Sequence, residues 1–334
     1  MKKFLAMMLA LCMVFALCAC GQQAAAPAAA PAAEEAAPAA APADGAKRIF
    51  MSAAYYTAPY GSPLMAAVEA RAHELGYEVQ IVDGEENADK QLTQLKTAVA
   101  DGFDGLIYWP GDSASTPPVV EYLNSTGIPW VDINTLPDDS ITDQCTIVAS
   151  NEVQIGREIG KLIVKYYEES GLDTMNMVYI EGASGSSYTI HLTEGIQEEI
   201  KDYPGIVILN DHQYANFDPS TAMTIMEDMI TKYGDQIDLV VTQDGGMFQG
   251  AYNAIVAAGK IGDFGIICQG QDLIVKDKLL SGELYASVAQ DPTQEGTLTV
   301  EVLDKLIKGE TAEPWTYTPT GPIFAADVDN YSWF

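Results

Sequence analysis

Aromatic and planar polar side chains stand at the ends of several predicted strands. Tyr60 follows the first strand, Trp109 ends the third and Asn134 follows the fourth, while Asp244 and Gln290 hold the same position on later strands. Aromatic faces cover apolar CH surfaces, and amide and carboxylate groups pair with hydroxyls. Each residue alone is also compatible with core packing or a helix cap. Together, at one edge of two sheets, they predict a pocket for a small hydroxyl-bearing molecule.

The segment 82–112 shows how such residues are positioned. A strand ends at Val82, Asn87 is suited to begin a helix, and apolar residues every three or four positions give that helix one core-facing stripe. A second strand, 106–109, stops at Pro110. Alternation along this strand turns Tyr108 and Trp109 toward opposite faces. The segment is therefore predicted to be a βαβ unit with Trp109 at the ligand edge.

The same alternation of strands and helices runs through both halves of the chain, from about residue 48 to 170 and from 176 to 308. A length of 334 residues allows two domains of ordinary size. The pattern predicts an α/β fold of two Rossmann-like lobes, each with a doubly wound parallel sheet and right-handed crossovers.

The N-terminal segment predicts export. Residues 1–19 are typical of a secretory signal, and the apolar run is short for a membrane span. The end of the signal, LCACG, resembles a bacterial lipobox, which makes Cys20 the candidate for lipidation. An ordinary cleaved signal with incidental cysteines stays open as an alternative. Residues 20–46, rich in alanine and proline, are predicted to be a disordered tether, so we expect a protein anchored by lipid at the extracytoplasmic face of the cell membrane.

Charge narrows the range of partners. The formal net charge is −30 at pH 7, so nucleic acid is a poor partner for the globular part. The whole chain contains three arginines, Arg48, Arg71 and Arg157. Sites for carboxylates or phosphates usually use the guanidinium fork, so we expect a neutral ligand. The remaining cysteines, Cys145 and Cys268, are predicted to be buried free thiols.

Enzyme motifs are missing from the sequence. It has no GxxxxGK[ST] phosphate loop and no HExxH motif, and its three histidines are far apart. The glycine and serine loop at 182–187 has neither the GxGxxG nor the GxSxG pattern. We therefore predict no catalysis, no cofactor and no metal site.

Four segments carry a resemblance to a known family. They are GYEVQIVDGEENADKQLTQLKTAVADGFDGLIYWPGD, TGIPWVDIN, VASNEVQIGREIGKLIV and ELYASVAQDPTQEGTLTVEVLDKLIKGE. In this order they resemble the sugar-binding lipoproteins of ABC importers, of the ribose and galactose type. The resemblance implies a type I periplasmic binding protein fold, with one lobe formed by 48–150 plus 291–318 and the other by 151–290 plus 319–334. A three-stranded hinge would join the lobes, and the ligand would pass to a membrane permease.

The family's site residues carry over by position. Tyr60 matches an aromatic after the first strand, Asn134 a hydroxyl-binding residue, Phe217 a second-lobe aromatic, Asp244 an Asn or Asp, and Gln290 a hinge glutamine.

Three departures from the family pattern matter. Asn134-Thr135 replaces an Asp-Arg pair, residues near Tyr188 replace an arginine, and CQGQD at 268–272 replaces GFDG. Tyr188 and Gln271 complete the set of candidate ligand contacts. The candidate residues are still suited to bind a small polar ligand. Because of these departures, however, the resemblance does not imply that the ligand is ribose or galactose.

The sequence thus predicts a monomeric, lipid-anchored solute-binding protein that closes on a small neutral sugar or polyol. Three alternatives stay open. The first is a sensory protein that presents its ligand to a chemoreceptor or membrane kinase. The second is a nucleoside-binding lipoprotein, in which Tyr60, Trp109 and Phe217 would stack on a base. The third is an extracellular hydrolase.

Overall fold

The computed structural model describes residues 45–334. The predicted signal, the lipidation candidate Cys20 and nearly all of the predicted tether lie outside these residues. Between residues 45 and 334, no helix is long and apolar enough to cross a membrane.

The first of two six-stranded sheets is built mostly from the first half of the chain. Its strands are β1 (Arg48–Ala53), β2 (Glu78–Asp83), β3 (Gly105–Trp109), β4 (Trp130–Ile133), β5 (Ile147–Ser150) and β11 (Trp315–Thr318). They lie in the order β11-β5-β4-β3-β1-β2, with every neighbouring pair parallel. The carboxyl ends of all six strands therefore meet at one edge.

The second sheet repeats this arrangement. Its strands are β6 (Met175–Ile180), β7 (Ile206–Ile208), β8 (Leu239–Thr242), β9 (Gly265–Gln269), β10 (Ala286–Val288) and β12 (Pro322–Ile323). They lie in the order β12-β10-β9-β8-β6-β7, and only the short β12 is antiparallel to its neighbour among the strands described.

Helices cover both faces of each sheet. The first sheet packs against α1 (Gly61–Glu74), α2 (Ala88–Ala100), α3 (Pro117–Thr126) and α9 (Pro292–Ile307), and the second against α4 (Glu152–Ser170), α5 (Ser187–Ile200), α6 (Pro219–Tyr233), α7 (Gly245–Ala257) and α8 (Leu273–Ser281). Strand β3 shows why both faces are apolar. Ile107 and Trp109 join the core shared with α1 and α9, whereas Leu106 and Tyr108 join the core shared with α2 and α3. This is the predicted two-lobed, doubly wound α/β architecture.

Asn87 caps α2 as predicted, and Asn151 caps α4 in the same way. The Asn87 side chain accepts a hydrogen bond from the Lys90 amide (2.9 Å), and Asn151 accepts one from the Gln154 amide (3.0 Å). Helix α2 differs in detail, because its buried face includes Gln91 as well as Leu95. The Gln91 amide donates to the Trp109 carbonyl (2.7 Å), so a polar residue fixes the end of β3.

Three elements have no counterpart in the sequence-based prediction: α8, β11 and β12. Helix α8 buries Val275 and Leu279 but exposes Leu273 and Leu280, so its apolar residues do not form one stripe. Cys145 and Cys268 are buried and free, as predicted.

The chain crosses between the sheets three times: after β5, after β10, and between β11 and β12. Hydrogen bonds join the crossing segments. The hydroxyls of Ser150 and Thr318 lie 2.6 Å apart, and the Thr320 hydroxyl donates to the Ala289 carbonyl (2.7 Å). The amide of Ala289 in turn donates to the carbonyl of Gly321 (2.8 Å). The three crossings thus form one connected, multi-strand link between the lobes.

Candidate functional site

A cavity lies between the carboxyl edges of the two sheets. It encloses an empty volume of ≈ 440 Å³, which includes space open to solvent. Its walls come from both lobes: Tyr55, Ala58, Tyr60, Trp109, Asn134, Thr135, Ser186, Tyr188, Phe217, Asp244, Gln269 and Gln290.

Seven of the eight predicted ligand contacts line this cavity: Tyr60, Trp109, Asn134, Tyr188, Phe217, Asp244 and Gln290. Their contact with a ligand stays a prediction. Gln271, the eighth, does not line the cavity. Its amide donates to the carbonyl of Ser332 (2.9 Å), because β9 ends at Gln269 and Gly270, with φ 140°, turns the chain away. Gln269 lines the cavity instead.

The aromatic wall is continuous across the two lobes. The ring centroids of Trp109 and Tyr55 lie 5.8 Å apart with an interplanar angle of 56°. Tyr55 meets Phe217 of the second lobe edge to face, at 5.5 Å and 87°. Phe217 in turn meets Tyr188 at 6.0 Å and 69°. Rings set at these angles present several π faces to one space.

Phe217 is held in place by an unusual backbone. Asn216 and Phe217 have φ values of 53° and 55°, a left-handed conformation that is rare for non-glycine residues. The Asn216 amide donates to the Gly182 carbonyl (3.1 Å), and a Cβ on Gly182 would lie 2.2 Å from the Phe217 ring. The ring therefore packs where only glycine leaves room. Strain of this kind is typical of functional sites.

On the first lobe, a buried carboxyl group joins two cavity residues. The Tyr60 hydroxyl donates to one oxygen of Glu295 (2.5 Å), and the Asn134 amide donates to the other (3.1 Å). Glu295 lies on α9 and is fully buried. Burial raises the pKa of Glu295 to about 7, although both hydrogen bonds oppose this effect. Glu295 thus positions Tyr60 and Asn134 from behind the cavity wall.

On the second lobe, Asp244 faces the cavity and begins α7. Its carboxylate accepts a hydrogen bond from the Met247 amide (2.5 Å). Burial, followed by the nearby charge of Asp272, raises the pKa of Asp244 to about 7, against the effect of the Met247 amide.

A chain of polar groups links Tyr188 to the crossing segments. The Tyr188 hydroxyl donates to the side-chain oxygen of Gln290 (2.9 Å), and the Gln269 amide lies 3.2 Å from the same oxygen. Gln290 directly precedes Asp291 at the start of α9, where the chain returns to the first lobe. The site and the link between lobes therefore share residues.

Comparison with known proteins decides the family. The profile described as "Periplasmic binding protein domain" matches residues 49–311. This chain belongs to that family.

Related binding proteins agree with the match. The ribose import binding protein of Salmonella typhimurium is 28% identical over 76% of this chain and 83% of its own length. The putative rhizopine-binding protein of Rhizobium meliloti is 28% identical over 86% and 93%. An ABC transporter solute-binding protein from Bacillus halodurans, solved with bound myo-inositol, is 25% identical with a TM-score of 0.79, covering 86% of this chain and 97% of its own. These relatives confirm the predicted type I family of ABC importers and the prediction of a binding protein rather than an enzyme.

The two lobes of this periplasmic binding protein contact each other directly across the cavity. The amide of Leu136 donates to the Ser187 hydroxyl (2.8 Å), and the Ser113 amide donates to the Gly185 carbonyl (3.4 Å). The ring contact of Tyr55 with Phe217 also spans the lobes. The structure is therefore a closed arrangement.

One cluster beside the cavity combines groups seen in hydrolases. One carboxylate oxygen of Glu152 accepts a hydrogen bond from the Ser187 hydroxyl (2.9 Å), and the other lies 2.7 Å from His191 Nδ1. In this order the carboxylate separates the serine from the histidine, so the histidine is not placed to activate the hydroxyl. The Ser187 hydroxyl also accepts a hydrogen bond from the Leu136 amide, and Ser187 does not line the cavity. The cluster therefore supports contact between the lobes.

Sequence reasoning missed several residues of the site, and Glu295 is the most important. It lies inside an amphipathic helix, where a glutamate ordinarily faces solvent. Its two partners are 235 and 161 residues away in the chain, so no local pattern marks it. Tyr55 and Gln269 could have been found, since both lie at predicted strand ends.

Proposed function

We propose that this binding protein is a lipid-anchored capture subunit of an ABC importer. It takes up a small polyhydroxylated solute, a sugar or polyol without an anionic group, and delivers it to a membrane permease. The observation that carries the proposal is the cavity between two strand edges, walled by aromatic rings and by amide and carboxyl groups from both lobes.

The lining suits a ring or chain of alternating CH and OH groups. The faces of Tyr55, Trp109, Tyr188 and Phe217 offer apolar surface. Asn134, Asp244 and Gln290 offer donors and acceptors for hydroxyls. The indole N–H of Trp109 is buried and has no hydrogen-bond partner within residues 45–334. Ribose and myo-inositol, named for two similar proteins, are both small polyhydroxylated molecules.

Hinge closure provides the mechanism. The proposed moving bodies are residues 48–150 with 291–318 and residues 151–290 with 319–334. Ligand contacts made by both lobes favour the closed state through their differential affinity for it. Because Gln290 lies in a crossing segment and contacts Tyr188, ligand contact and hinge position are coupled at one residue.

The membrane attachment and partners rest on the sequence. Cys20 is proposed to carry the lipid, and residues 20–46 to act as the tether that lets the lobes reach a permease. The folded part is proposed to act as a monomer. Loss of membrane fractionation in Cys20→Ser, with unchanged ligand binding, is the expected sign of this anchor.

Thermal stability tests the ligand assignment. Purified protein without residues 1–46 is heated with a panel of sugars, polyols and nucleosides. A ligand present at 100 times its Kd stabilises the folded state by about 2.7 kcal/mol, which raises the melting temperature. A shift with at least one sugar or polyol is expected. A shift with nucleosides alone would assign the protein to the nucleoside-binding class. No shift with any compound would contradict the assignment of a sugar or polyol ligand.

A further inference from the structure

The charges around the cavity are unbalanced. The twelve lining residues include a carboxyl group, that of Asp244, but no Lys, Arg or His. Glu295 lies directly behind Tyr60, and the described residues give neither Asp244 nor Glu295 a cationic partner. The pKa of the Tyr188 hydroxyl is raised first by burial and then by the charges of Asp244, Glu152 and Glu295. Three carboxyl groups therefore act on one lining residue, and of these Glu152 alone has a histidine neighbour.

The aromatic wall lines the same cavity as Asp244 and offers ring faces that attract a cation. Trp109, Tyr55, Phe217 and Tyr188 follow one another with centroid separations of 5.8, 5.5 and 6.0 Å and with steep interplanar angles. Each π face carries partial negative charge, so rings at these angles surround one space with several attractive faces. Aromatic walls of this kind combined with a carboxylate bind amines well.

The shortage of arginine is compatible with two kinds of ligand. The lining without guanidinium groups argues against an anionic ligand, but it does not distinguish a neutral ligand from a cationic one. A neutral polyol leaves the half-buried carboxyl group of Asp244 without a cationic partner. A protonated amine supplies the missing charge. The net charge of −30 also favours the approach of cations to the cleft.

We propose that the ligand carries a protonated amine, as in an amino sugar or an aminated polyol, held between Asp244 and the wall formed by Trp109, Tyr55, Phe217 and Tyr188. This inference rests on the proposed capture of a polyhydroxylated solute and replaces the expected neutral ligand with a cationic one.

Proton exchange gives the two ligand classes opposite signatures. In the closed structure Asp244 has a pKa of about 7, so its carboxyl group is about half protonated there at pH 7. The titratable groups that face it are Asp272, Tyr188 and Cys268. A cation placed against the carboxylate lowers its pKa, so binding releases up to about half a proton. A neutral ligand displaces water without adding charge, which raises the pKa and causes proton uptake.

Calorimetry with matched pairs measures both affinity and proton exchange. The full chain is titrated at pH 7 with D-galactosamine and D-galactose, D-glucosamine and D-glucose, an inosamine and its inositol, and aminodeoxysorbitol and sorbitol. Choline is included as a quaternary ammonium ion without polyol character. Each titration is run in two buffers of different ionisation enthalpy, so that the number of protons exchanged is obtained. At least one amine is expected to bind tenfold or more tighter than its hydroxyl partner, with net proton release.

Two variants separate a local charge from the overall field. Asp244→Asn keeps an acceptor for the Met247 amide, so α7 can still begin there. In this variant the preference for the amine is expected to fall to within threefold, and the part of the proton release that comes from Asp244 is expected to vanish. Asp202→Asn removes one exposed charge elsewhere on the second lobe and is expected to keep the full preference.

The outcomes distinguish this inference from the proposed function. Hydroxyl compounds that bind as tightly as their amine partners would overturn the inference and keep the polyol assignment. Retention of the amine preference in Asp244→Asn would also overturn it. Binding of choline without any sugar or polyol would support the cationic site and overturn the proposed solute class. If no compound bound, both would be overturned.

Discussion

Glu295 offers the sharpest test of how the site is built. Its carboxyl group is fully buried and accepts hydrogen bonds from Tyr60 and Asn134, which both line the cavity. The substitution Glu295→Gln keeps the size of the side chain. The amide oxygen can accept from Asn134, and the amide nitrogen can donate to the Tyr60 hydroxyl, which can rotate to accept. The variant therefore removes the charge while the hydrogen bonds remain possible.

The expected effect depends on pH. The pKa of Glu295 is about 7 in the folded protein and near 4.5 for an ordinary glutamate. Because the folded state holds the proton more tightly, this group contributes most to stability below pH 4.5. That contribution is lost as the pH rises from 4.5 to 7, and little changes above pH 7. The difference corresponds to about 3 kcal/mol. Glu295→Gln should therefore gain up to about 3 kcal/mol relative to the wild type between pH 4.5 and 8.

Chemical denaturation at several pH values between 4 and 8.5 measures this gain. The matched control is Glu69→Gln on α1, an exposed glutamate, which should differ from the wild type by a constant amount across the range. A difference between Glu295→Gln and the wild type that stays flat from pH 4.5 to 8 would refute the assignment of a raised pKa to Glu295. Ligand affinity of Glu295→Ala should fall as well, because Tyr60 and Asn134 lose their common partner.

Two further predictions concern the cavity and the core. Tyr60→Ala and Gln290→Ala should each weaken ligand binding at least tenfold in calorimetry, because such anchors are desolvated on closure. The control Gln271→Ala, outside the cavity, should change the affinity less than twofold. Wild-type affinity in both cavity variants would show that Tyr60 and Gln290 do not contact the ligand. Asp132 is fully buried with no hydrogen-bond partner for either oxygen among residues 45–334, and burial raises its pKa well above the usual range. Asp132→Asn should therefore stabilise the protein at pH 7 by about 1–3 kcal/mol and by less at pH 4, as measured by denaturation; equal effects at both pH values would contradict this.

Much of the fold could be predicted because its signals are local. Asn87 caps its helix as the sequence indicates, and alternation separates Tyr108 from Trp109 across β3. Helix α8 was missed because its apolar residues lie on two sides, and β11 and β12 because they are short and lie at sheet edges. Local patterning does not show which strand a four-residue segment will join.

The residues of the site likewise fall into those that local sequence signals predict and those that they do not. Residues at strand ends could be predicted, because parallel strands bring their carboxyl ends to one edge. The choice between Gln269 and Gln271 needed the point where β9 stops, and boundaries of strands are the least certain feature of a sequence. Glu295 could not be predicted, since it joins the site only when α9 returns to the first lobe. Long-range crossings therefore supply the residues that local reasoning cannot reach.

Trp109 belongs both to the core of the first lobe and to the cavity wall. Its carbonyl accepts hydrogen bonds from the Gln91 side chain (2.7 Å) and the Ala54 amide (3.1 Å), so the end of β3 is held from two neighbouring elements. Its ring is 2% exposed and packs against Tyr55, whose hydroxyl donates to the Gly111 carbonyl (2.6 Å). A side chain restrained in this way cannot move aside to widen the cavity. We therefore propose that the first lobe sets the size of the ligand, and that closure of the second lobe selects, through Phe217 and Asp244, among the molecules that fit against Trp109.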